Sequence, residues 1–145
     1  MPRGVLHALE LANEDLQKWC GGLSDAELNS RPAGLPPVAF HLRHIARSLD
    51  RLLTYAEDRA LSPEQVAALK GEMEIGATRA ELFAELESAL EESAKRVLEL
   101  AKANLEERRV VGKKALPTTV AACWCMSRII RNDTWDKRSQ RLRLF

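Results

Sequence analysis

Residues 78–105 read TRAELFAELESALEESAKRVLELAKANL, and this stretch decides the fold class. Phe83, Leu86, Leu90, Ala94, Val97, Ala101 and Leu105 recur at steps of three and four, which on a 3.6-residue repeat draws one apolar stripe down a helix. Thr78 and Glu81 stand three apart at its start, the spacing at which hydroxyl and carboxylate cap each other's backbone amides. Glu81, Glu85 and Glu87 occupy the early turns, and Lys102, Arg108 and Arg109 the late ones, a polarity that suits the helix dipole. Glu91 with Lys95 and Glu92 with Arg96 are spaced for i,i+4 support. The pattern predicts one long helix that runs past Leu105 and is broken by Gly112.

The same period extends outward on both sides. Val38, Leu42, Ile45, Leu49, Leu52 and Ala56 form a second unbroken stripe that starts just after Pro36-Pro37. Ser62-Pro63-Glu64-Gln65 puts a capping Ser before a first-turn Pro and a Gln three on, the start of a short helix. Nearer the N-terminus, Val5, Leu9, Ala12, Leu16, Trp19 and Leu23 predict a helix that faces its neighbours through these residues and ends near Gly21-Gly22. A loop is expected between, with a capping box at Ser24-Asp25-Ala26-Glu27 and breakers at Pro32, Gly34, Pro36 and Pro37. After Pro117, Val120, Cys123, Met126 and Ile130 keep a helical stripe that would dock for about three turns. Alternation is absent, so no strand is expected. The expected fold is all-α: a four-helix bundle with a short extra helix between long helices two and three, in a single domain over residues 1–145.

Composition narrows the function classes. The chain has 145 residues, 30% of them charged, with a net charge of +1, so no overall field demands nucleic acid or a membrane as partner. No apolar run approaches the roughly 20 residues of a transmembrane helix, and Met1-Pro2-Arg3 opens directly into mixed polarity; the expected location is cytoplasmic. Cys20, Cys123 and Cys125 form no C-x-x-C or Cys/His zinc pattern, which suits a reducing compartment and small hydrophobes or free thiols. Cys123-Trp124-Cys125 is a poor chelate, because side chains two apart on a helix point about 200° apart.

Helix two carries His41 and His44, with Ser48 a turn further on, beside the apolar stripe. Two imidazoles at i,i+3 can turn toward one ion, yet a metal site needs three or four donors and neither neighbour supplies a third. Taken alone, the pattern reads as packed, hydrogen-bonded histidines at the edge of a core.

A resemblance adds to that reading. Leu28-Asn29-Ser30-Arg31-Pro32-Ala33-Gly34, the run from Val38 through His41, His44 and Ser48 to Asp50, Leu52-Leu53-Thr54-Tyr55, Leu61-Ser62-Pro63-Glu64-Gln65 and Leu116-Pro117-Thr118-Thr119-Val120 together resemble DinB/YfiT-like proteins, bacterial four-helix bundles of metalloenzyme type. The likeness reaches to about residue 122. It implies a divalent metal, zinc or nickel, held by one histidine of helix two and an H-x-x-x-H pair of the last helix. His44, ahead of Ile45-Ala46, matches the helix-two ligand; His41 does not. It also implies a small-molecule substrate or a low-molecular-weight thiol, in thiol transfer or thiol-dependent isomerisation, where the ion would activate the thiol. A homodimer is an assembly such bundles adopt; neither nucleic acid nor membrane is expected.

The last helix departs from the family. No histidine follows His44, so the metal triad is incomplete and tight metal binding is not expected of this sequence. Residues 123–145 form a divergent tail with six basic residues (Arg128, Arg131, Lys137, Arg138, Arg141, Arg143) against Asp133 and Asp136, a net of +4. A basic arm for nucleic acid would need more interleaved aromatics than Trp135. The genetic code points elsewhere. Read one base earlier, the codons spanning Asn132 to Lys137 spell Arg or stop, His or Tyr, then Val, Leu or Met, then Gly, then Gln or stop. The junction of Ile129 and Ile130, four codons before the permitted histidine, also permits His. The displaced frame thus accommodates H-x-x-x-H-x-G-Q, and the preferred reading is an out-of-frame tail. The rival is a catalytically inactive bundle that serves as a scaffold or interaction protein.

Overall fold

The computed structural model describes residues 2–123. Helix α1 spans Pro2–Cys20, α2 Asp25–Asn29, α3 Val38–Ala56, α4 Pro63–Lys70 and α5 Arg79–Leu100. A further helix, α6, begins at Val120 and continues to Cys123, the last described residue. The helical bundle expected from periodicity is what forms, with the short α4 between the long α3 and α5 and one small hairpin added. Met126, Ile130, Cys125 and the basic tail lie outside the described residues.

Local chemistry sets the helix starts. At α4 the Gln65 amide donates to Ser62 Oγ (3.2 Å) while Ser62 N–H donates to Gln65 Oε1 (2.9 Å), and Thr78 and Glu81 repeat the exchange at α5 (2.8 and 3.2 Å). The Ser24–Glu27 box also closes, and opens α2 within the stretch expected to be a loop. Helix α1 ends where expected; a Cβ on Gly21 would come within 2.5 Å of the Gln17 carbonyl oxygen. Helix α3 ends in a left-handed cap. Asp58 has φ 59°, and the amides of Asp58 and Arg59 donate to the carbonyls of Tyr55 and Thr54, both at 3.0 Å.

The core forms where α1, α3 and α5 meet. Leu16, Leu42, Ile45, Leu49, Leu86 and Leu90 are buried together in one cluster. A second cluster at the other end joins Leu53, Ala56, Val97 and Leu100 to Val120 and Cys123, which seats the first turn of α6 on the bundle. Cys20 and Cys123 are both buried, and burial pushes the Cys123 thiol above its ordinary value.

Four expectations need correction. Helix α5 stops at Leu100, and Arg108–Val111 (β1) pairs antiparallel with Leu116–Thr119 (β2), Arg109 opposite Thr118 and Val110 opposite Pro117. The β-branched Val110-Val111 and Thr118-Thr119 favour extended backbone, and Gly112 takes φ 76° at the turn. Strands of four residues are too short to show alternation. Second, Arg108 and Arg109 therefore do not finish a helix; Arg109 is buried in the hairpin and its Nε donates to the Ala56 carbonyl at the end of α3 (2.7 Å). Third, Trp19 does not face the bundle. It is 49% exposed, with Lys18 Nζ 5.4 Å from its ring centroid, because neighbouring Cys20 takes the buried position. Fourth, Arg96 does not pair with Glu92. It reaches across to Asp50 and Glu57, each at 2.6 Å, while Lys95 lies 4.0 Å from Glu92 instead of pairing with Glu91.

Candidate functional site

Helix α3 buries Leu42, Ile45 and Leu49 on one side and presents a polar row on another. His44, Ser48, Arg51 and Tyr55 stand at i, i+4, i+7 and i+11, which on a 100° step keeps them within about 60° of one another. Across this row lies the chain from α4 through the 3-10 turn Gly71–Met73.

Helix α4 buries no side chain, so apolar packing does not hold this strap down. Cations on α3 do. Arg47 Nη1 donates to the Ala68 carbonyl (2.7 Å), and Arg43 donates to that of Glu74. Between them Glu72, only 3% exposed, accepts from both sides: Arg51 Nη1 on one oxygen (2.7 Å) and His44 Nδ1 on the other (2.8 Å). Burial alone would raise the Glu72 carboxyl, but hydrogen bonds from His44 and Arg51 outweigh it and hold the group below its ordinary value.

That pairing fixes the histidine. An ionised carboxylate only accepts, so His44 Nδ1 carries the proton. Phe40 stacks on the same ring, with centroids 5.6 Å apart and planes 18° from parallel. Nε2 is left without a partner among the described residues, on a ring that lines a cleft of about 900 Å³. His41 is placed differently: it is buried at 6%, edge-on to Phe40. Ser48 Oγ is buried and donates back to the Ile45 carbonyl (3.2 Å).

The cleft runs along α3 from His44. Its far wall is Leu61, Val66, Leu69 and Lys70, and the hairpin closes it with Val110, Val111 and Lys113. Among the described residues no three His, Cys, Asp or Glu side chains gather as metal donors. Of the sequence candidates, the structure brings His44 and Ser48 to the cleft and leaves His41 in the core. Sequence reasoning missed Glu72, Arg51 and Tyr55. The last two continue the His44 spacing and were findable by it, whereas nothing in the sequence links Glu72 to a histidine 28 positions away. No described helix is long and apolar enough to cross a membrane.

No curated protein matches this chain. The family model of the DinB superfamily matches residues 8–126, and the chain belongs to that superfamily.

Proposed function

We propose, from its membership of the DinB superfamily, that this chain has the scaffold of a metal-dependent enzyme for a small molecule or low-molecular-weight thiol. His44 is its α3 metal ligand, and the rest of the ligand set is missing from the sequence after Cys123. The observation that carries the reading is the Glu72 clasp. Metal-ligating histidines characteristically give their other ring N–H to a carboxylate, which fixes the tautomer and raises ligand basicity. His44 has this arrangement in place, with Nε2 unpartnered among the described residues on a ring that lines the cleft.

Among the described residues the donor set does not fit a tightly held divalent ion. Cys123 is buried in the second core cluster, and one imidazole gives no chelate. No reaction step is therefore assigned to this sequence. The displaced frame supplies what is missing in principle, since it accommodates two histidines in an H-x-x-x-H-x-G-Q run within residues 129–137. Should the frame be correct as printed, the inactive scaffold becomes the reading that stands.

Zinc titration against a chromophoric chelator separates these cases, alongside the genomic base sequence over codons 116–145. The chain as printed should take up well under one zinc per chain, and the displaced-frame chain about one. His44→Ala should abolish uptake in the displaced-frame chain, and His41→Ala should leave it unchanged. A full equivalent on the printed chain would overturn the incomplete set; none on the displaced-frame chain would overturn His44 as ligand.

A further inference from the structure

The cleft beside His44 carries cationic groups with unused bonding capacity. Arg51 is the most telling. Its side chain is 11% exposed, Nη1 is committed to Glu72, and Nε and Nη2 make no hydrogen bond among the described residues. Neither is a sealed, unsatisfied nitrogen, and Arg51 lines this cleft as well as a smaller cavity beside Asp50, Glu64 and Gln65. A turn further along α3 the half-buried Tyr55 hydroxyl also has no partner among the described residues. Lys70 and Lys113 approach from the strap and the hairpin, and neither makes an ion pair among the described residues. The acidic side chain of the lining, Asp58, stands at the far end of α3, beyond Tyr55.

The remaining surface is apolar. Leu52 and Leu61 line the interior, and Val66, Leu69 and Val110 are 37%, 43% and 51% exposed around the cleft. Exposed apolar side chains gathered about one concavity mark a ligand surface. The volume, about 900 Å³, lies within the usual range for small-molecule sites, which pair apolar walls with a few fixed polar groups.

We infer that this cleft binds a small amphipathic carboxylate, with its charged group on the free edge of Arg51 and the Tyr55 hydroxyl and its aliphatic body against Leu52, Leu69 and Val110. A planar two-oxygen anion matches the guanidinium fork, and Lys70 and Lys113 add favourable field without fixing geometry. Seven residues at 1.5 Å rise place that seat roughly 10 Å along α3 from His44. A bound acid thereby spans the cleft toward the imidazole. The inference takes this cleft as the site, as the proposed function does, but needs no bound ion.

The test uses the full chain as printed, in buffer containing a metal chelator, with octanoate as probe and octan-1-ol and octylamine as neutral and cationic counterparts. Octanoate should bind at least about ten-fold more tightly than either, the size of effect a charge-assisted hydrogen bond supplies. Its amide shift changes should map to Leu52, Leu69 and Val110. Arg51→Gln should weaken octanoate about ten-fold or more and leave octan-1-ol unchanged. Because Arg51 also holds Glu72, a second variant stands apart from the clasp: Lys70→Gln with Lys113→Gln should weaken octanoate several-fold with an unchanged melting midpoint. Equal binding of octanoate and octan-1-ol, shifts that map elsewhere, no binding at millimolar octanoate, or wild-type binding by both variants would each overturn the assignment. None of these outcomes bears on zinc uptake by the displaced-frame chain.

Discussion

The two faces of α3 are held by opposite kinds of chemistry. Toward α1 and α5 it buries Leu42, Ile45 and Leu49 in a seam with Leu16, Leu86 and Leu90. Toward the strap it offers Arg43, His44, Arg47 and Arg51, which grip backbone carbonyls and the Glu72 carboxylate over a helix, α4, that buries nothing. The apolar seam is non-directional and resists separation over its whole area. The polar clasp is directional and aims particular atoms, among them His44 Nε2. Stability thus resides in one face and the candidate chemistry in the other.

Substitutions can break each side of this contrast separately. The largest expected effect is Leu86→Ala in the seam. Leu86 is fully buried, and its truncation should cost about 2–5 kcal/mol and lower the global melting midpoint. Next comes Glu72→Leu, which leaves Arg51 and His44 facing an apolar side chain. A cost of about 1–3 kcal/mol is expected. Amide exchange should accelerate over residues 63–73 while α5 stays protected; equal acceleration in α5 would mean the strap is part of the global unit. The caps make a finer pair. Thr78→Ala and Ser62→Ala should each cost about 1 kcal/mol where they act, but only the first, at the head of α5, should move the global melting curve.

The smallest effect is electrostatic. Burial would raise the Glu57 carboxyl, yet Arg96 and Arg59 outweigh it and hold it below the ordinary glutamate value of about 4.3. A depressed carboxylate contributes stability that is present above its unfolded value and lost as pH falls through its folded one. Acid titration should therefore show a loss beginning below about pH 4.3. Glu57→Gln should shrink that loss by under about 1 kcal/mol, since the pair is partly solvated. An unchanged acid profile would show that Arg96 satisfies itself on Asp50 alone.

What could be read from the sequence follows the same division. The stripes of α1, α3 and α5 and the capping boxes at Ser62 and Thr78 are periodic or local, so their residues announce them. His44 was legible through the family resemblance, and its helix position through spacing. The hairpin was not, because two four-residue strands carry too short a pattern to separate from a helix end. Trp19 misled because hydrophobicity alone cannot say which of two adjacent apolar residues, Trp19 or Cys20, takes the buried place. Arg96 misled because an i,i+4 partner on its own helix competes with two carboxylates across the bundle, and only the fold brings those near. Glu72 carries no signal in the sequence; it is buried where the strap folds back onto His44 and Arg51 of α3, a fact of tertiary structure.

The orientation of His44 is the point on which the site reading turns, and imidazole nitrogen NMR of the printed chain reads it directly. At about pH 8.5, where an ordinary imidazole is neutral, ¹⁵N shifts and long-range couplings identify the protonated ring nitrogen. The expected result is a proton on His44 Nδ1 and a bare Nε2, with a reversion toward Nε2–H in Glu72→Leu. A His44 that is Nε2–H in the unaltered chain, or that does not respond to loss of Glu72, would contradict the clasp and with it the assignment of His44 as a prepared metal ligand.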